Sequence, residues 1–218
     1  MKSTFLYIFL FIFSLPFTGQ QNLVPNPSFE EYWSCPEYAE TGQQEFMKCK
    51  YWWYPTPFHV GSPDYFNVCN NQDSFNPSFV GVPSNFNGYQ EAYQGSAYVD
   101  LAPFGYSLTG DYVMDGLELI STRLTEPLKA CVEYEFIMFV SLCDNATHSI
   151  SNLGVVLTTD SVHYDNIDDI IAVEPNWKNE FYLSDTINWV KLQGSFIAQG
   201  MEKYLTIGYF EELDTNEM

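Results

Sequence analysis

The chain has 218 residues, 28 acidic and 8 basic, for a formal net charge of −20. Hydrophobic residues at 46% can build a core, which excludes global disorder despite the charge. A pI near 4.1 excludes nucleic-acid binding as a main function, because a phosphate backbone needs a basic footprint.

The chain opens with a targeting segment. Lys2 gives a short positive region, and Phe5 to Leu15 is an apolar run too short to span a bilayer but suited to a signal peptide. Residues 1–19 are therefore assigned to export, with cleavage expected near Gly19 to Gln21. No later stretch approaches eighteen uncharged apolar residues, so no transmembrane segment is expected in the mature chain. About 200 residues remain, which suits one β-sandwich or barrel.

Residues 22 to 100 are crowded with breakers, among them Asn26-Pro27, Ser62-Pro63-Asp64, Val82-Pro83 and Asn87-Gly88, leaving little room for long helices. Export makes a disulfide permissible. The five cysteines are Cys35, Cys49, Cys69, Cys131 and Cys143, and none forms a C-x-x-C pair. Cys131 and Cys143 flank a predicted strand that would hold them roughly 40 Å apart. The bridge is expected between two of the three N-terminal cysteines, with Cys35 and Cys69 favoured.

Residues 131–142 alternate as a strand. Val132, Tyr134, Phe136, Met138, Val140 and Leu142 share one face, and Glu133 and Glu135 the other. Ile137 and Phe139 make the second face apolar too, which predicts a strand covered on both sides toward its end. Further strands are predicted at 153–159, 189–197 and 204–210, and no helical period of comparable strength occurs. The reading is an all-β sandwich, one domain over residues 20–218.

Chemistry is sparse. His59, His148 and His163 show no metal-binding spacing, and no nucleophile elbow or phosphate loop occurs. A carboxylate pair such as Asp100 and Glu133 could in principle flank a glycosidic bond. Aromatic and polar residues crowd together in Tyr51-Trp52-Trp53-Tyr54 and in Asp64-Tyr65-Phe66-Asn67. Flat rings cover the C–H face of a pyranose, and amides and carboxylates take its hydroxyls. Candidate ligand residues are therefore Trp52, Trp53, Tyr54, Asp64, Asn67 and Trp177. A strand pattern would turn one of Trp52 and Trp53 inward.

The opening Asn22-Leu-Val-Pro-Asn-Pro-Ser-Phe-Glu30 resembles the first strand of galactose-binding-like jelly rolls, which include several carbohydrate-binding modules. Ser34-Cys35-Pro36, Trp53, Gly61 to Asn67 with Cys69, Gly88-Tyr-Gln90, Gly95 to Tyr98, Leu153-Gly154 and Leu205 to Gly208 continue the pattern. That order is similar to a domain of exported envelope proteins of gliding-type bacteria, often joined to an outer-membrane-protein-A-like or sorting domain. The resemblance implies an antiparallel jelly roll in an exported protein, at the cell surface or outer membrane or in the periplasm. It also implies a structural calcium held by Glu30 with carbonyls near Asn26 and Ser28. Jelly rolls of this type close with a further strand, whereas here Glu211 to Met218 follow the last predicted strand. The expectation is a fragment, or a sandwich with an unpaired edge. A non-catalytic module for carbohydrate or envelope glycan is the first functional reading, and a structural or adhesive surface domain is the second. A glycoside hydrolase is the third.

Overall fold

The computed structural model describes residues 21–39, 45–57, 60–72, 79–102, 105–106, 112–113, 117–146 and 149–211. The segment 1–19 predicted to direct export, His59, His148 and the end from 212 lie outside them. In chain order the strands are β1 (Trp52–Trp53), β2 (Asp64–Asn67), β3 (Ser84–Asn85), β4 (Gly88–Tyr89), β5 (Ala97–Asp100), β6 (Gly105–Tyr106) and β7 (Tyr112–Val113). They continue with β8 (Leu119–Arg123), β9 (Glu133–Val140), β10 (Leu153–Thr158), β11 (Trp177–Lys178), β12 (Val190–Ile197) and β13 (Tyr204–Tyr209). The chain is all-β, and every strand pairing is antiparallel.

The long strands lie where β-branched and aromatic residues alternate, and left-handed residues mark their starts. Cys131 (φ 60°) precedes β9, Asn152 (φ 63°) precedes β10, and Met201 (φ 76°) precedes β13. A short helix α1, Ile167–Ile171, also forms, its first turn capped by the Asn166 side chain accepting from the Asp169 amide at 3.1 Å.

A five-stranded sheet runs β1-β8-β13-β10-β11. Strand β13 is therefore central, and the edges are the two-residue β1 and β11. Sequence reading passed over β8. Its Leu-Ile-Ser-Thr run is buried on both faces, and so short an apolar run has no alternation to reveal it.

Strands β9 and β12 form a separate ribbon over eight register pairs, from Ile197 opposite Glu133 to Val190 opposite Val140. The ribbon packs on the five-stranded sheet: Tyr134, Phe136, Met138 and Phe196 meet a core holding Trp52, Ile120, Val155 and Leu205. The opposite face of that sheet is covered in part by α1, where Ile170 and Tyr164 join Leu119 and Val156 in a second core. Cys35 and Cys69 form the disulfide, their Cα atoms 5.9 Å apart, and Cys49, Cys131 and Cys143 remain thiols.

One approach between the layers is set by glycine. Trp177 lies beside Val155 on the core side of the sheet and stands edge-on to Phe136, with ring centroids 4.6 Å apart. A Cβ on Gly194 of β12 would meet Trp177 Nε1 at 2.5 Å and Phe136 Cε1 at 2.7 Å. Gly194→Ala is expected to destabilise the fold by about 1–3 kcal/mol, the range for overpacking. Combined with Trp177→Leu its cost should fall below additivity in chemical denaturation, because the two changes share one contact.

Candidate ligand face

The six residues singled out for ligand binding do not converge. Trp52 is core: its indole Nε1 donates to the Asn26 carbonyl at 3.0 Å, and its ring packs on Phe29 at 5.1 Å. Trp53 turns to the other side of the sheet and meets Tyr204 edge-on at 6.2 Å. Tyr54 packs on Phe46, with centroids 6.3 Å apart. Asn67 is buried, donating to Tyr65 Oη at 2.7 Å and accepting from the Cys69 amide at 2.9 Å, so its amide is spent inside the fold. Asp64 stands opposite Asp100 in the β2–β5 pair. Trp177 is not in a loop but on β11, half-buried against Phe136, bordering a depression of about 460 Å³ shared with Glu174 and Phe181. Strands β1 and β11 are opposite edges of the sheet, four strand spacings or about 19 Å apart, so no single sugar ring reaches both tryptophan sites.

Exposed polar side chains also gather on the outer face of the ribbon. Period two places Glu133, Glu135, Ile137 and Phe139 of β9 there. Their partners on β12 are Ile197, Ser195, Gln193 and Lys191, and of these eight residues only Phe139 is not exposed. Ile137 is 48% exposed, which corrects the expectation that this strand is covered on both sides. A shallow depression of about 510 Å³ is lined by Glu133, Glu135, Gln193, Gly194 and Ser195, and Ser195 Oγ donates to Glu133 Oε1 at 2.9 Å.

At one end Tyr93 stacks on Phe139, with centroids 3.7 Å apart and planes 15° apart, and Trp189 stands edge-on at 6.3 Å. Trp189 is fixed there by its Nε1 donating to the Glu91 carbonyl at 2.8 Å. Tyr93 remains 52% exposed, so one face of its ring is open. From Glu133 to Phe139 the strip runs about 20 Å. Carboxylates, an amide and a hydroxyl thus line a strip that ends on an aromatic wall. The signal for Gln193 and Ser195 was present in the alternation of β12, but nothing local links Tyr93 to Phe139, 46 positions later.

The carboxylate pair considered for glycoside cleavage sits on different sheets: Asp100 ends β5, paired with Asp64 of β2, and Glu133 begins β9 in the ribbon.

Asp100 instead belongs to a buried acidic group. Its Oδ2 accepts from Asn87 Nδ2 at 2.7 Å, and burial of the carboxyl group pushes its pKa from 3.8 up to about 6, even though the residue keeps some exposed surface. Glu118 accepts from the Ser62 amide at 3.1 Å and the Ala102 amide at 2.7 Å. Burial raises its pKa well above the usual range, and the charges on Asp100 and Asp64 add to the effect. An acid raised on folding is favoured when protonated. Its contribution is therefore full below the unfolded value and is lost as pH rises through the folded one. Stability should fall between pH 4 and 6 by on the order of 2–3 kcal/mol from Asp100, and Asp100→Asn should flatten that part of the denaturation profile.

Glu30 has a different use from the one the resemblance implied. Its Oε1 accepts from the Ser96 amide at 2.8 Å and the Ala97 amide at 3.1 Å, across a turn where Gly95 (φ 73°) lets the carboxylate approach. Among the described residues no three His, Cys, Asp or Glu side chains converge. With Oε1 facing two N–H donors, the residues present do not fit the six to eight oxygens calcium takes. Glu30→Ala should lower stability by about 1–3 kcal/mol through two unpaired amides. Melts in calcium and in chelator should coincide for the unaltered chain.

No protein-family model, curated protein or solved structure matches the chain.

Proposed function

We propose that the chain is an exported, non-catalytic carbohydrate-binding module of the galactose-binding-like jelly-roll type, acting at the cell envelope. Support for the fold type comes from the antiparallel layers and from the resemblance of the opening segment. Support for the ligand class comes chiefly from one observation, the exposed strip of Glu133, Glu135, Gln193 and Ser195 ending on Tyr93. A sugar ring laid on Tyr93 would bury its C–H face there, and the following rings would offer hydroxyls to the strip. The shallow, open form suits the side of a chain more than a chain end.

Affinity electrophoresis through gels containing neutral polysaccharides tests this reading. At least one should retard the protein, and Tyr93→Ala and Gln193→Ala should each weaken that retardation about tenfold, the cost of roughly 1.4 kcal/mol. A folded protein that no polysaccharide retards would favour the structural or adhesive role instead.

A further inference from the structure

A second surface carries the opposite charge. In a chain of net charge −20, basic residues are few, and two of the lysines are neutralised locally. Lys48 pairs with Glu37 and Glu45, and Lys178 with Glu211. Arg123 and Lys203 pair with no carboxylate among the described residues, and both stand beside Tyr204. Arg123 closes β8 directly opposite Tyr204, the residue after Lys203. Glu202, the nearest acid in sequence, is turned away, accepting from the Gln199 and Gly200 amides at 2.6 and 2.7 Å.

Aromatic rings frame these cations. Lys203 Nζ lies 5.7 Å from the Tyr204 ring centre. Trp53, on the far side of β8, reaches across to meet the same ring. Alternation puts Trp53, Arg123 and Tyr204 on one face, and Tyr51 at the same end is 54% exposed. Arg123 is exposed at this corner, and Trp53 and Tyr204 are half-buried.

We propose that this corner binds the anionic substituent of an acidic sugar. The Arg123 guanidinium presents a planar fork matched to a carboxylate or sulfate, and Lys203 adds a second charge. The Tyr204 and Trp53 rings receive the sugar's C–H face. The surrounding negative charge opposes any polyanion at long range. Selectivity then belongs to short acidic segments rather than to extended polyanions, and at 0.15 M salt screening over about 8 Å lets the local cations prevail.

Calorimetric titration at that ionic strength tests the proposal with two matched pairs: a galacturonate hexamer against its methyl ester, and a sulfated glucan hexamer against its desulfated parent. At least one acidic member should bind about tenfold or more tighter than its neutral partner. R123Q with K203Q should abolish that preference. Lys178→Gln, which removes a positive charge on β11 at the opposite edge of the sheet, should leave it intact, which separates a local site from a change in net charge. Which pair responds identifies the substituent. Acidic members that bind no better than neutral ones, or a preference that survives R123Q with K203Q, would overturn it.

Discussion

The structure depends on an absent side chain. Because Gly194 carries no Cβ, the Trp177 ring can lie against β12 while also flanking Phe136 of β9. This contact ties an edge of the five-stranded sheet to the ribbon, and it fixes which side of the ribbon faces in. A slip of one residue would reverse every side chain, so the inward placement of Leu192 and Phe196 determines that Lys191, Gln193 and Ser195 face solvent. The proposed ligand face is in this sense a by-product of core packing, since it is what remains when the other side is committed.

Charge is distributed by the same logic. The fold spends few cations on its acids; it satisfies several with backbone amides. Glu30, Glu118 and Glu202 each accept from two main-chain N–H groups; Glu30 and Glu118 thereby join separate segments, and Glu202 closes its own turn. Carboxylates used in this way hold loops without drawing on the small set of lysines and arginine. That economy leaves Arg123 and Lys203 without a carboxylate partner among the described residues, as it does Lys50, Lys129 and Lys191.

The sequence was legible where periodicity was strong. Strands β9, β10, β12 and β13 were expected close to their observed bounds, and the inward–outward split of Trp52 and Trp53 follows from pleating alone. Strand β8 was not legible, because it is buried on both faces and shows no period. The candidate ligand residues were legible only as residue types. Trp177 has the composition of a loop platform, yet pairing with Val155 turns it into the core. Asn67 has the amide a sugar would want, yet the Tyr65 hydroxyl and the Cys69 amide use it first. Tyr93 gains its role from Phe139, and a contact across 46 positions is tertiary information that no local pattern carries.

The central claim is that the outer face of the β9–β12 ribbon is where ligand sits. Backbone amide shifts followed by NMR during titration with a retarding neutral oligosaccharide address it directly. The account predicts that the perturbed amides cluster at 133–139, 191–197 and Tyr93, while the core strands β10 and β13 stay unchanged. Perturbations confined to the β1 edge around Trp52 to Tyr54, or to the Glu174–Phe181 depression, would contradict it.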